Sequence, residues 1–202
     1  MTSDRGSLIV FEGCDKVGKT LFCNKLKTYL RNEPVIFLSF PDKTTPTGKL
    51  IDKCLSEKDD SNLQWLHLLF AANKFEKLQE ILTHLNSGTH VIIDRYIYSG
   101  IAYSLASNMD YTWSYILHTG LPIPDLTIML ETDSMFNWNT PKTDLFENEK
   151  FQQDVKNCYD SIAKQNWIII NTDNNMFKTI IDSILSHIKR EFAKNKDAIK
   201  YF

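Results

Sequence analysis

The sequence predicts an α/β fold in which a five-stranded parallel sheet is flanked by helices. Five short apolar runs, rich in Val, Ile or Leu at consecutive positions, have the pattern of strands covered on both faces: Leu8–Phe11, Val35–Leu38, His90–Ile93, Leu126–Leu130 and Trp167–Ile170. The stretches between these runs are long enough for crossover helices, which favours parallel strands. Because the 202 residues contain no repeat and no low-complexity linker, we expect one domain over residues 1–202.

One helix is predicted after the first strand and three more after later strands. Between Leu21 and Leu30 the apolar side chains have the spacing of one helix face, and they are Phe22, Leu26, Tyr29 and Leu30. The clearest helix is Leu63–Leu85, which Asn86-Ser87-Gly88 closes with a C-terminal glycine. The other two predicted helices are Asn148–Ala163 and Met176–Ala193.

The segment between the first strand and the first helix matches a phosphate-binding pattern. It reads Gly13-Cys14-Asp15-Lys16-Val17-Gly18-Lys19-Thr20 and fits G-x-x-x-x-G-K-[ST] at every position. Gly13 and Gly18 permit a tight turn that aims backbone N–H groups inward, and the helix N-terminus adds partial positive charge. We expect Lys19 to reach the β- and γ-phosphates of a nucleotide and the Thr20 hydroxyl to ligate Mg²⁺.

An acid and an arginine follow the third predicted strand, in the sequence Asp94-Arg95-Tyr96. Ligands of open α/β sheets bind at the carboxyl ends of strands, so this pair lies beside the phosphate loop if the third strand neighbours the first. Asp94 is then expected to hold Mg²⁺ through water, and Arg95 to bind a phosphate bidentately. A structural ion pair is the alternative, and the phosphate loop favours the functional interpretation.

Composition and charge exclude several classes of function. The net charge of −2 provides no general attraction to nucleic acid or to an anionic membrane. No apolar run is long enough to cross a bilayer, and the first ten residues lack the pattern of a signal peptide. The tail Lys189–Lys200 interleaves Glu191 and Asp197 with its lysines, which indicates a solvated helix end. We expect a cytoplasmic protein without nucleic-acid or membrane partners.

The cysteines and histidines predict neither a disulfide framework nor a zinc site. The four cysteines form no C-x-x-C pair, as is usual for a reduced intracellular protein, and they are Cys14, Cys23, Cys54 and Cys158. The five histidines show no paired-ligand spacing. Cys14 follows Gly13 near a helix N-terminus, a position that lowers thiol pKa values. A small residue tolerated in a turn is nevertheless the favoured interpretation of Cys14.

Six ordered blocks of residues lie between about Arg5 and Ile170. The first three blocks are Phe11-Glu12-Gly13-x-Asp15-Lys16-x-Gly18-Lys19-Thr20, Phe40-Pro41 with Thr44-Thr45 and Gly48, and Leu68-Leu69-Phe70-x-Ala72-Asn73-x-x-Glu76. The last three are Asp94-Arg95-Tyr96-x-x-Ser99-Gly100-x-Ala102-Tyr103, Gly120-Leu121-Pro122-x-Pro124-Asp125 and Phe146-Glu147-Asn148-x-x-Phe151-Gln152. Together the six blocks resemble thymidylate kinases of the eukaryotic and poxvirus type. The resemblance implies a P-loop NTPase fold with a short lid at about residues 135–147. It also implies a homodimer to which the Leu63–Leu85 helix contributes.

The resemblance implies transfer of the ATP γ-phosphoryl group, with Mg²⁺, to dTMP to give dTDP. The catalytic set it implies is Asp15, Lys16, Lys19 and Arg95. The ATP-binding set it implies is Gly13, Asp15, Lys16, Val17, Gly18, Lys19, Thr20, Lys142 and Asp173, with Thr20 and Asp94 at the metal. Asp173, with Thr172, is placed beside adenine.

The acceptor site that the resemblance implies has three recognition elements. Asp15 contacts the 3′-hydroxyl region of the sugar, Phe70 stacks under thymine, and Arg95 holds the acceptor phosphate. Stacking of this kind is worth about 1–3 kcal/mol per base. The remaining acceptor residues are Phe40, Pro41, Lys43, Lys74, Ser99, Gly100, Tyr103 and Phe146.

Most departures from the family pattern replace an arginine with a lysine, and the whole chain has four arginines against 19 lysines. Lysine stands at positions where the family often has arginine: Lys16, Lys43, Lys74 and the lid residue Lys142. A lid tyrosine is replaced by Phe146. Since lysine offers one point charge and arginine a planar fork, these changes predict slower turnover or altered acceptor recognition.

Three hypotheses remain open at this stage. The first is an active thymidylate kinase with broadened acceptor specificity. The second is a catalytically impaired nucleotide-binding protein, which the missing arginines favour. The third is a kinase for another nucleoside or nucleoside monophosphate; a nucleoside kinase needs a base at the 5′-hydroxyl, for which Glu12 is nearby.

Overall fold

Five parallel strands form one sheet in the computed structural model, which describes residues 5–132, 145–164, 167–173, 176–194 and 196–202. The strand order is β2-β3-β1-β4-β5, and every neighbouring pair is parallel. The strands are β1 (Leu8–Glu12), β2 (Val35–Ser39), β3 (His90–Asp94), β4 (Leu126–Glu131) and β5 (Ile168–Asn171). Each predicted strand is therefore confirmed to within one residue at either end.

Burial differs between the central strands and the edges. The side chains of β1, β3 and β4 are almost all buried, as predicted for strands covered on both faces. The edge strands β2 and β5 are only half-buried, and Ile169 on β5 is 56% exposed. The expectation of full coverage was therefore wrong at both edges, where each strand has one neighbour instead of two.

Eight helices are described around this sheet: α1 (Lys19–Tyr29), α2 (Pro46–Glu57), α3 (Leu63–Glu76), α4 (Leu78–Asn86), α5 (Ile97–Ala106), α6 (Tyr111–Ile116), α7 (Glu149–Ile162) and α8 (Phe177–Phe192). The predicted first, third and fourth helices correspond to α1, α7 and α8. None of the described helices is long and apolar enough to cross a membrane.

The predicted single helix Leu63–Leu85 was wrong, because the chain breaks between α3 and α4 at Lys77. Lys77 has φ −99° and ψ −1°, and its N–H bonds to the Lys74 carbonyl, three residues back. Its ammonium group pairs with Asp42 at 3.1 Å and with Glu80 at 3.0 Å. The apolar periodicity continues across the break, so the pattern did not reveal it.

Two local expectations about exposure were also wrong. Tyr29 was predicted on the buried face of α1, but it is 47% exposed because it lies at the last residue of the helix. Lys196 was predicted in a solvated tail, but it is buried and donates to the Glu191 carboxylate at 2.7 Å. The paired carboxylate compensates the buried ammonium group.

The carboxyl ends of β1 and β3 bring the functional segments together. The two strands are neighbours, with Phe11 opposite Asp94 in the register. The phosphate loop continues from β1, and Arg95 follows Asp94, so the predicted proximity of these segments is confirmed. This end of the sheet is the position at which open α/β folds bind ligands.

Candidate active site

The phosphate loop turns tightly between β1 and α1. Gly13 and Gly18 have φ values of 139° and 94°, and a Cβ at Gly13 would lie 2.4 Å from the Leu130 carbonyl oxygen. The loop therefore requires glycine at position 13 for both its backbone angle and its close approach to β4. Lys16 also has a left-handed φ of 65°.

Lys19 lies at the first residue of α1 with its ammonium group turned into the loop. The side chain is buried, and Nζ donates to the Cys14 carbonyl oxygen. Burial, together with the positive charge of Arg95, lowers the pKa of Lys19 to about 8. Burial also raises the pKa of the Cys14 thiol to about 11, so the low thiol pKa that its helix position suggested is wrong.

Thr20 and Asp94 lie together, as the metal-site prediction requires. The Thr20 hydroxyl donates to Asp94 Oδ2 at 2.8 Å, and Asp94 Oδ1 is buried without a hydrogen-bond partner among the described residues. A hydroxyl and a carboxylate with an unused oxygen are ligands that Mg²⁺ prefers, and this ion is usually completed by water and substrate phosphates. These two residues therefore fit the metal.

Arg95 joins the phosphate loop to the neighbouring pocket. Its guanidinium donates to the Gly13 carbonyl oxygen at 3.0 Å and to the Asp15 carboxylate, and it lies 5.3 Å from the centre of the Tyr103 ring. The residue itself has a left-handed φ of 65°, which is uncommon for arginine.

Gln152 is a site residue to which sequence reasoning assigned no role, although it belongs to the last resemblance block. Its side-chain oxygen accepts from the Asp15 N–H at 2.7 Å, and its side-chain nitrogen donates to Asp15 Oδ2 at 2.7 Å. The same nitrogen donates to the Phe146 carbonyl at 3.2 Å. Gln152 on α7 thus links the phosphate loop to Phe146, near the end of the predicted lid.

Next to the loop lies a pocket of about 110 Å³, roughly ten times the space that one water molecule needs. Ten of the eleven predicted acceptor residues line it: Asp15, Phe40, Pro41, Phe70, Lys74, Arg95, Ser99, Gly100, Tyr103 and Phe146. Leu55 and Tyr96 complete the lining. The Phe40–Pro41 peptide bond in its wall is cis.

Lys43 is not brought to this pocket. Its side chain is 60% exposed, and Nζ lies 2.5 Å from the Asp52 carboxylate on α2. The preceding residue, Asp42, is held by the Asn73 side chain and by Lys77, which leaves Lys43 on the outer side of the turn.

The structure describes one of the two predicted ATP contacts outside the phosphate loop. Asp173 follows β5 and accepts a hydrogen bond from the Thr132 hydroxyl. Lys142 and most of the predicted lid lie outside the described residues.

The polar end of the pocket contains a buried lysine. Lys74 Nζ donates to the Phe70 carbonyl at 3.0 Å, and burial lowers the pKa of Lys74 to about 8. A Cβ at Gly100 would lie 2.4 Å from His118 Nε2 and 3.4 Å from Lys74 Nζ, so glycine makes room for both groups. Burial holds the pKa of His118 well below its usual range, so the imidazole is neutral at pH 7.

Aromatic rings form the apolar walls of the pocket. The Phe146 ring stacks on Phe151 at 4.8 Å and lies 6.4 Å from Phe70 and 5.7 Å from Tyr103. A flat ring entering the pocket would meet apolar faces beside Lys74 and Arg95. This lining suits a nucleobase that carries polar edge groups.

Comparison with known proteins identifies the family. A family model described as thymidylate kinase matches residues 11–184. The chain belongs to the thymidylate kinase family. It is 38% identical to the thymidylate kinase of Dictyostelium discoideum over 199 residues, which cover 94% of this chain and 88% of that protein. As a thymidylate kinase, the chain transfers the γ-phosphoryl group of ATP to dTMP.

Solved structures agree with this assignment. The thymidylate kinase of Candida albicans is similar with a TM-score of 0.87 and 33% identity, covering 98% of each chain; its structure was reported as revealing the origin of broad substrate specificity and a novel structural element. The thymidylate kinase of Ehrlichia chaffeensis has a TM-score of 0.71 at 24% identity, over 92% of this chain and 98% of that one. The second comparison shows the fold.

Proposed function

We propose that this thymidylate kinase holds dTMP in the pocket, with the acceptor phosphate on Arg95, the sugar at Asp15 and thymine against Phe70. One observation carries the proposal: Arg95 lines the pocket and also contacts Gly13 and Asp15 of the phosphate loop. A phosphate bound by Arg95 therefore lies beside the place where the loop holds the phosphates of ATP.

Transfer then depends on positioning and on charge neutralisation. Lys19 and Lys16 follow the charge that develops on the transferred phosphoryl group, while Arg95 fixes the attacking phosphate. A general base is unnecessary, since a monophosphate with a second pKa near 6 is already ionised at neutral pH. Closure of the lid at about residues 135–147 would exclude water, which otherwise consumes ATP.

Thr20 and Asp94 are the residues proposed to hold Mg²⁺, Thr20 directly and Asp94 through water. The ion neutralises charge on the β- and γ-phosphates when it is bound. The unpartnered Asp94 Oδ1 supports this assignment.

The acceptor range is proposed to be broader than dTMP because Lys74 stands at the end of the pocket that faces the base. A lysine ammonium donates to any nearby carbonyl oxygen, whereas an arginine fork matches one planar edge. Bases with an oxo group at the edge that faces Lys74, which is O4 in thymine and uracil and O6 in guanine, are expected to bind. Cytosine presents an amino group to the ammonium and is expected to be rejected. Broad specificity is reported for the structurally similar Candida albicans enzyme.

Lys74→Arg is expected to narrow the acceptor range of the enzyme. The kcat/KM for dGMP relative to dTMP should fall about tenfold, because a guanidinium fixes one base edge more strictly than an ammonium group. Purified wild-type and variant enzymes are assayed with dTMP, dUMP, dGMP and dCMP in the presence of ATP and Mg²⁺. An unchanged ratio of kcat/KM for dGMP to kcat/KM for dTMP in the variant, or rapid use of dCMP by the wild type, would contradict the proposed role of Lys74.

The KM for dTMP is expected to rise with pH above about 8 in the wild-type enzyme. Burial lowers the pKa of Lys74 to about 8, so the ammonium that donates to thymine is present below this pH and lost above it. Lys74→Arg stays protonated throughout and serves as the control, with a KM that should remain flat between pH 7 and 9. A parallel rise in the variant would assign the titration to another group.

We also propose that the enzyme is a homodimer formed through α3. Trp65, Leu68 and Phe75 lie on one face of this helix and are 42%, 45% and 38% exposed. An exposed apolar stripe of this kind is usually covered by a partner protein. The same stripe on a second copy of the chain can pack against it around a two-fold axis.

Trp65→Glu is expected to convert a dimer into a monomer, since it places a charge within the apolar contact. Light scattering after size-exclusion chromatography gives the mass directly. Ile169→Lys is the matched control, because Ile169 is exposed on β5 at the far edge of the sheet and should not affect the dimer. A wild-type protein that is monomeric at high concentration would overturn this proposal.

The remaining expectations concern the organisation and location of the chain. We propose a single kinase domain that works in the cytoplasm without nucleic-acid partners. All four cysteines are free thiols, and Cys14, Cys23 and Cys54 are buried, which suits a reducing compartment. The net charge of −2 supports the absence of nucleic-acid binding.

A further inference from the structure

Arg95 adopts a backbone conformation that its surroundings must maintain. Its φ of 65° is in the left-handed region, where residues other than glycine are strained. The amides on either side of the residue are both bonded to the end of β1. Arg95 N donates to the Phe11 carbonyl at 2.9 Å, and Tyr96 N donates to Glu12 Oε1 at 3.1 Å.

Glu12 is the side chain that receives the second of these amides. It is completely buried, and its other oxygen accepts from the Ser99 hydroxyl and from the Tyr159 hydroxyl, the latter at 3.2 Å. Burial raises the pKa of Glu12, and the hydrogen bonds from Ser99 and the nearby charge of Arg95 oppose that increase. The Ser99 hydroxyl is thus directed towards this carboxyl group.

The Glu12 carboxyl also replaces the missing cap of α5. Tyr96 is the N-cap residue of this helix and makes no side-chain capping bond. The first amides of a helix need acceptors, and a carboxylate near the N-terminus is stabilised by the helix dipole. Glu12 supplies such an acceptor from β1, immediately before the phosphate loop begins at Gly13.

We propose that Glu12 is a positioning residue that sets the guanidinium of Arg95 for the acceptor phosphate, by fixing the Tyr96 amide and the start of α5 to the end of β1. The inference rests on the proposed acceptor-phosphate role of Arg95. Glu12 does not contact the substrate in this account, so we expect its main effect on the phosphate that Arg95 holds.

The test compares the binding of dTMP with that of thymidine, which lacks the phosphate. Calorimetry is carried out at pH 6.5, which is below the pKa of about 8 to which burial lowers Lys74 in the wild-type enzyme. Glu12→Leu removes both carboxyl oxygens that accept these hydrogen bonds. We expect it to weaken the binding of dTMP about tenfold and to leave the affinity for thymidine within about twofold of the wild-type value. Glu12→Gln keeps an oxygen for the Tyr96 amide and should retain dTMP affinity within about threefold.

Tyr159→Phe is the matched control, since it removes one hydrogen bond from the same carboxyl and leaves the Tyr96 amide bound; it should bind dTMP like the wild type. Circular dichroism and thermal melting establish that each variant is folded. If Glu12→Leu does not fold, Glu12→Asp takes its place, because it withdraws the carboxylate from the Tyr96 amide by one methylene.

Arg95→Ala, measured in parallel, tests the acceptor-phosphate role of Arg95 separately from the positioning role of Glu12. Loss of dTMP affinity in Arg95→Ala, with no further loss in the Glu12→Leu/Arg95→Ala double variant, supports the inference. Equal weakening of dTMP and thymidine in Glu12→Leu, or unchanged dTMP binding, overturns it while Arg95 keeps its role. Unchanged dTMP binding by Arg95→Ala overturns both.

Discussion

We expect Lys19→Met to lower kcat for dTDP formation by about 10³-fold. Nζ of Lys19 is buried in the loop and bonded only to the Cys14 carbonyl among the contacts described, so it is positioned to transfer its bond to a phosphate oxygen. Methionine keeps the length of the side chain and removes the charge. ADP release in a coupled assay, at saturating ATP and dTMP, measures the effect.

The matched control for this prediction is Lys25→Met, an exposed lysine on the same helix α1. It changes the net charge by the same amount and should leave kcat within about twofold, as is usual for surface substitutions. A Lys19→Met enzyme that retains a tenth or more of the wild-type kcat would contradict the assignment of Lys19 to the transferred phosphoryl group.

Arg95→Ala is expected to raise the KM for dTMP about 100-fold, with little change in the KM for ATP. The guanidinium offers charge-assisted, bidentate hydrogen bonds to a phosphate, and removing one partner of a buried charge pair costs about 2–5 kcal/mol. Removal also leaves Asp15 without its cationic partner. Initial rates over a matrix of ATP and dTMP concentrations separate the two KM values.

The control for Arg95 is Arg31→Ala, an exposed arginine beyond the end of α1. Its KM for dTMP should equal that of the wild type. Undiminished dTMP phosphorylation by Arg95→Ala would remove the acceptor-phosphate role, and an equal rise in both KM values would point to disruption of the phosphate loop instead.

The sheet could be predicted from the sequence because buried parallel strands leave a continuous apolar signal. All five strands were located this way, and α1 was located from the helical spacing of its apolar residues; α7 and α8 were also predicted. The break at Lys77 was missed, since the apolar periodicity continues across it and the contact of Lys77 with Asp42 joins distant parts of the sequence. Local periodicity contains no information about such tertiary partners.

The pocket could be anticipated only through the resemblance, whose ordered blocks supplied the acceptor residues. Residue spacing alone predicted the phosphate loop. It predicted the proximity of Asp94 and Arg95 to the loop only on the condition that β3 neighbours β1, which the structure meets. Gln152 was present in a matching block. Its two hydrogen bonds with Asp15 join positions 137 residues apart, so they could not be predicted from the sequence.

Lys43 and Glu12 illustrate two further limits of sequence reasoning. Lys43 was assigned to the acceptor by position in the family pattern, yet the turn that contains Asp42 leaves it on the surface with Asp52. Glu12 was considered only as a base for a nucleoside kinase, whereas its carboxyl is buried and engaged with Tyr96, Ser99 and Tyr159. Both outcomes depend on side-chain direction, which a motif does not specify.

The most direct test follows the labelled γ-phosphate of ATP in the presence of Mg²⁺ and dTMP. The account predicts that the label appears in dTDP, that its formation depends on dTMP, and that Lys19→Met abolishes it while Lys25→Met does not. ATP binding without any dTMP-dependent transfer of the label would contradict the account. It would instead favour a catalytically impaired nucleotide-binding protein, in which the lysines at arginine positions no longer support transfer.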